Sequence, residues 1–228
     1  MCLQTLRFLK RRNDWRLGRW TAKHAIATCL HLPTDFRALA NVEIHAAPSG
    51  APEVFLDGEP ADIAISLSHR SDTALCTVGP RATKFGCDLE RVESRSDAFV
   101  DDYFTASEQA LFARAPLHNR PLLLALLWSA KESALKALRV GLRLDTRSMC
   151  VIPGESHGMI FPLSANSDAW RPVDVRYSVS EVFTGWWRVE GDLVRTVVSD
   201  FPIAAPQHAR TRVGSPTHSD YRVESVPA

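Results

Sequence analysis

An α+β fold built of two halves, each a small antiparallel sheet packed with helices, is predicted by three features of the chain. Residues 122–138 (LLLALLWSAKESALKAL) are long enough, and rich enough in Leu, Ala, Lys and Glu, to form a helix. Residues 63–69, 74–78 and 84–90 are short runs, two of them alternating apolar with small or polar positions at the period of a strand. The element order then repeats, helix first and small sheet after, with no repeat in the residues themselves. The halves are expected over residues 1–110 and 111–201. From Pro202 onward the chain is polar, contains Pro and Ser and has no periodicity, so 202–228 reads as a disordered tail.

Residues 7–30 form an amphipathic helix with a basic start and an expected break near Gly18. Arg12, Arg16, Arg19 and Lys23 recur at spacings of four, three and four, which lines one helical face with positive charge. Such a face is either solvated or a patch for phosphates. Pro and Gly punctuate residues 33–60 into short strands and turns. In the strand at 63–69, Ile63, Ile65 and Leu67 alternate with Ala64, Ser66 and Ser68, and Ser68–His69 closes it at a polar turn. Phe85, Cys87 and Leu89 alternate with Gly86, Asp88 and Glu90, which makes a third strand and an antiparallel meander. Residues 101–115 are helical, with Thr105 and Glu108 spaced as a capping box. The long helix ends at Gly141. Residues 149–152, 173–179, 181–189 and 193–199 read as strands, the last two as a hairpin turning at Glu190–Gly191–Asp192.

On the long helix, Leu123, Leu127, Ala130, Ala134 and Leu138 share the side that must be buried, and Ser129, Glu132 and Lys136 lie on the opposite arc. Trp128, Glu132 and Lys136 climb one flank, and the last two also fit a solvated i,i+4 ion pair. Lys131 points close to the apolar arc, where an unpaired ammonium is costly.

A chain of 228 residues with 45% apolar and 23% charged residues buries a real core. Its net charge of +1 argues against a general nucleic-acid binder. The five cysteines are scattered without a CxxC pair, which fits reduced thiols better than a disulfide framework or zinc. Arg7, Lys10, Arg11 and Arg12 interrupt any leader-like apolar segment, and no run is long enough for a membrane span. A soluble, cytoplasmic protein is expected.

Asp88 and Glu90 sit two apart on a strand, about 7 Å from each other on one face. Two acids that close repel, and a cation between them relieves the repulsion. Oxygen ligands without nearby Cys or His suit Mg²⁺ or Mn²⁺, although surface strands also carry such pairs. Ser68 and His69 are either a turn cap or a donor pair for a phosphate, and no Gly-x-Ser-x-Gly elbow makes them a hydrolase.

Order and spacing join these weak signals. Ser66-Leu-Ser-His69, Phe85-Gly-Cys-Asp-Leu-Glu90 and Trp128-Ser-Ala-Lys-Glu-Ser-Ala-Leu-Lys136 together resemble the 4′-phosphopantetheinyl transferases. Gly18-Arg-Trp-Thr-Ala-Lys23, Phe104-Thr-Ala-Ser-Glu108 and Gly141-Leu-Arg-Leu144 fit as well, so the resemblance spans roughly residues 7–200. It is closest to the larger, monomeric, pseudo-dimeric class of secondary metabolism. The resemblance implies a holo-[acyl-carrier-protein] synthase activity. The phosphopantetheine arm of coenzyme A moves to a serine of an apo acyl or peptidyl carrier protein, and 3′,5′-ADP leaves. It implies Mg²⁺ held by Asp88, Glu90 and Glu132, with Glu132 also the general base. Lys136 would contact phosphate, Ser68 and His69 would donate to the phosphates or the nucleotide, Lys131 would be a further partner, and Arg12, Arg19 and Lys23 would face the 3′-phosphate. Many relatives carry Gly-Lys-Pro before the Ser-His strand; Gly50-Ala-Pro52 stands here, so either coenzyme A affinity is lower or Arg70 or Arg81 compensates. A catalytically silent coenzyme-A- or carrier-binding homologue is the alternative.

Overall fold

The computed structural model describes residues 9–70, 72–154, 169–177, 181–211 and 221–225. The chain divides into two compact units, Met1–Thr83 with Pro206–Ala228, and Lys84–Ala205. This division falls between Thr83 and Lys84.

The first unit starts with α1 (Leu9–Cys29) and α2 (Phe36–Ala40), followed by β1 (Val42–Ala46), β2 (Pro52–Leu56), β3 (Glu59–Pro60), β4 (Ile63–Arg70) and β5 (Thr73–Pro80). Helix α1 runs unbroken through Gly18, whose missing side chain has no neighbour within 4 Å. One glycine costs a helix about 1 kcal/mol, too little to break 21 residues anchored by a buried end. That end supplies Ala22, Ala25 and Ile26 to a core shared with Val42, Val54, Ile65, Cys76 and Val78. Asp35 caps α2 by accepting from the Arg37 and Ala38 backbone N–H groups.

The second unit contains β6 (Phe85–Arg91), α3 (Asp97–Tyr103), α4 (Ala106–Arg114), α5 (Arg120–Ala137), β7 (Cys150–Pro153), β8 (Arg171–Arg176), β9 (Val182–Glu190) and β10 (Leu193–Ser199). Its sheet is antiparallel in the order β6-β10-β9-β8-β7. The expected three-stranded meander is thus corrected. Strands β4 and β5 pair as a hairpin, but β6 pairs with β10, Phe85 opposite Ser199 and Arg91 opposite Leu193. Six of the seven β6 residues are buried. β6 is the first strand in that order, and α5 lies over β6 and β10. The expected single helix at 101–115 is two, because Thr105 caps a new helix after Phe104 leaves helical geometry. Residues 178 and 179, expected to end a strand, lie outside the described residues.

The stretch read as a disordered tail contains β11 (Gln207–Thr211) and β12 (Tyr221–Ser225). They form an antiparallel pair, and β12 joins β5 in parallel to make the sheet β11-β12-β5-β4 of the first unit. Both units are α+β, each with a long helix against a sheet. They differ in strand number and in the presence of a parallel pair. Among the described residues no helix is long and apolar enough to cross a membrane, and Cys29, Cys76, Cys87 and Cys150 form no disulfide.

Candidate functional site

Four of the singled-out side chains come together in the second unit, and a glycine is what brings them together. A Cβ on Gly86 would lie 2.0 Å from the Ser133 carbonyl oxygen and 2.8 Å from the Ala137 nitrogen. Only glycine lets the α5 backbone rest this close to β6. The helix answers with Ala130, Ser133, Ala134 and Ala137, all buried. Ser129, placed on the solvated arc by helical periodicity, is also buried. Ser129 and Ser133 hydroxyls lie 2.8 and 2.7 Å from Thr196 Oγ1 of β10, so two serines on the sheet side of α5 are satisfied without water.

This seating delivers Lys136 to β6. Its Nζ donates to Asp88 Oδ1 at 2.7 Å and to the Cys87 carbonyl at 3.0 Å. Burial works against the ammonium, but Asp88, Cys87 and Glu132 together outweigh it, so the Lys136 pKa is raised. Asp88 and Glu90 are both buried. Glu90 Oε1 accepts from Arg95 Nη2 at 2.8 Å. Glu132, one turn before Lys136, is half-buried, and its side chain makes no hydrogen bond among the described residues. Burial and the Asp88 charge push its carboxyl above the ordinary range; Lys136 opposes them and Glu90 adds to them. The three carboxylates therefore sense one another, as Asp88 and Glu90 on one strand and Glu132 on the facing helix require.

No group of three or more His, Cys, Asp or Glu among the described residues is arranged to hold a metal ion. Cations of the chain itself engage the acids: Lys136 on Asp88 and Arg95 on Glu90. The donor chemistry fits a hard divalent ion, because the set is all oxygen and its mutual repulsion, read in the raised Glu132, is what a dication relieves.

Lys131 has a different place. Its ammonium is fully buried, 2.8 Å from Glu108 Oε2, and donates to the Tyr103 and Thr146 carbonyls at 3.0 and 2.9 Å. It also lies 5.1 Å from the centre of the Phe104 ring. Glu108 accepts in turn from the Thr105 backbone N–H and hydroxyl and from the Val151 N–H. The cost of a lysine near the apolar arc is met by an ion pair, with no ammonium left over for a phosphate. Trp128 packs edge-on against Phe99 and Tyr103 of α3, centroids 5.2 and 5.1 Å away.

The remaining candidates lie in the first unit. In β4, Ser68 is buried and His69 exposed, so the strand turns them to opposite faces. On α1, Arg12 is exposed, the Arg19 guanidinium stands 5.2 Å over the Trp15 ring, and Lys23 donates to the Leu39 carbonyl at 2.7 Å. Burial lowers the pKa of both Arg19 and Lys23, and for Lys23 the nearby Arg19 lowers it further against the pull of Glu43. Sequence reasoning did not single out Arg95 or the partner role of Glu108. Glu108 was legible as a cap; Arg95 follows β6 by four residues in a loop, where no periodicity marks it.

Residues 84–182 match the family model described as the 4′-phosphopantetheinyl transferase superfamily. The match starts where the second unit starts and takes in β6, α3, α4, α5, β7 and β8. Ser68, His69, Arg12, Arg19 and Lys23 fall outside it. No curated protein matches the chain by sequence.

Proposed function

We propose that this chain, whose residues 84–182 belong to the 4′-phosphopantetheinyl transferase superfamily, moves the phosphopantetheine arm of coenzyme A onto a serine of an apo acyl or peptidyl carrier protein. The observation that carries the reading is the convergence of Asp88, Glu90, Glu132 and Lys136 across β6 and α5 within the matched residues. The serine oxygen bonds to the phosphorus of the arm, the phosphorus–oxygen bond to 3′,5′-ADP breaks, and 3′,5′-ADP departs with the electron pair. Glu132 takes the serine proton, a role supported by a half-buried carboxylate engaged in no hydrogen bond among the described residues. Lys136 contacts phosphate as a point charge held at the mouth of the acid pair. Asp88, Glu90 and Glu132 would hold Mg²⁺, which when bound stabilises charge on the pyrophosphate oxygens.

Arg12, Arg19, Lys23, Ser68 and His69 contact the phosphates of coenzyme A in this reading, and its support there is the basic face of α1. Lys131 is instead a structural partner of Glu108. The carrier meets a basic and apolar surface between Arg114 and Leu124, where Leu117 is 76% exposed and Arg114 is exposed. The enzyme acts as a cytoplasmic monomer on carriers of fatty-acid, polyketide or nonribosomal-peptide synthesis.

Intact mass spectrometry of apo carriers incubated with coenzyme A, Mg²⁺ and the protein tests this. The expected result is a gain of one phosphopantetheine arm, abolished by EDTA and lowered at least 100-fold by Glu132→Gln, the order expected for loss of a general base. No gain on any carrier while coenzyme A still binds would leave a catalytically silent homologue.

A further inference from the structure

In the second unit, the loop after β6 carries an arginine suspended between two acids. Arg95 Nη2 lies 2.8 Å from Glu90 Oε1 and 2.9 Å from Glu93 Oε1, so one nitrogen serves both carboxylates. Exposure rises along the row, from 9% at Glu90 through 29% at Arg95 to 38% at Glu93. The guanidinium carbon stands 5.3 Å over the Phe99 ring, and Ser96, the next residue, caps α3 by accepting from the Phe99 N–H. Backbone and ring therefore hold the arginine where a small swing exchanges the inner acid for the outer one.

We propose that Arg95 is an exchangeable counter-ion, competing with a divalent cation for Glu90 and stepping back onto Glu93 when the cation binds. The inference rests on the reading that Asp88, Glu90 and Glu132 hold such an ion. An oxygen engaged by a guanidinium at 2.8 Å is not open to a cation that binds carboxylate oxygen at about 2.1 Å. The two positive groups also repel across one carboxylate. Glu93 makes the exchange inexpensive, because the arginine keeps a charge-assisted partner as it leaves. Without a cation, Arg95 and Lys136 relieve the repulsion among three clustered acids. With one bound, Arg95 is surplus charge.

Calorimetric titration of the full chain with Mg²⁺ and Mn²⁺ tests this without reference to activity. Arg95→Gln is expected to bind the ions more tightly, on the order of tenfold, the effect of removing one adjacent like charge. Arg95→Lys should stay near wild type, because it keeps the charge. Glu93→Gln should bind more weakly, because the arginine loses its alternative seat. Equal or weaker binding by Arg95→Gln, with wild type binding normally, overturns the inference alone. Absence of cation binding in wild type overturns the three-carboxylate reading as well, and the inference falls with it.

Discussion

Two polar networks stand one residue apart on α5, and they are built on opposite terms. Lys131 faces Tyr103, Glu108 and Thr146 in an interior where ammonium and carboxylate are 0% and 1% exposed and every strong donor is matched. Glu132 and Lys136 face Asp88, Glu90 and Arg95, where three acids meet two cations and Lys136 and Arg95 are each 29% exposed. The first network has no spare capacity. The second gathers like charge, and its cations Lys136 and Arg95 are partly exposed. A closed network fixes the helix; an open one is free to take a ligand. Two adjacent residues of one motif thus enter different networks, Lys131 the closed one and Glu132 the open one.

Breaking the closed network should give the largest effect. Lys131→Met leaves Glu108 charged and buried with no ammonium, and is expected to cost about 3–5 kcal/mol in urea denaturation. Glu108→Gln combined with Lys131→Met should recover much of that loss, since the amide oxygen still accepts from the Val151 N–H and no charge is stranded. Failure of the double variant to recover would mean that the pair's geometry, rather than its charge balance, holds α4, α5 and β7 together.

Gly86 sharpens the comparison on the other side. Gly86→Ala drives a methyl into the Ser133 carbonyl and close to the Lys136 Cβ, 3.0 Å from the added carbon. The helix must lift from β6, at a cost of about 1–3 kcal/mol. The lift separates Lys136 from Asp88, so carrier modification should fall further than the stability loss alone accounts for, in an assay run well below the melting point. Full activity in a destabilised Gly86→Ala variant would show that the open cluster tolerates a loosely seated α5.

Much of this was legible because it repeats locally. The alternation at Phe85–Glu90, the Leu/Ala pattern of α5 and the Thr105–Glu108 box are each set by neighbours in sequence. The α+β class followed from them. Strand pairing did not: β6 shares its alternation with β4, yet it lies under α5 and beside β10. The return of β12 to β5 was hidden for the same reason, since a strand joined to its sheet by a distant edge has no local mark. Asp88, Glu90, Glu132 and Lys136 were picked out by spacing and do converge. Lys131 sat in the same motif, and only a partner 23 residues earlier, Glu108, reveals what it does.

Asp174 supplies the smallest and most direct control on what a carboxylate costs without a built partner. It lies on β8, in the same sheet as Asp88, and burial pushes its carboxyl above the ordinary range while Arg176 pulls only weakly against that. A raised folded-state pKa means that the folded chain binds more proton than the unfolded chain between the two values. Stability therefore falls as pH rises through that window, which opens near the ordinary Asp value of about 3.9, and the cost is complete above it. Because the side chain is partly exposed, water screens the effect, and Asp174→Asn should stabilise by on the order of a few tenths of a kcal/mol at neutral pH. The gain should shrink to nothing as the pH is lowered to the bottom of the window. A gain independent of pH would assign the effect to packing against Thr184, its cross-strand neighbour, and not to charge.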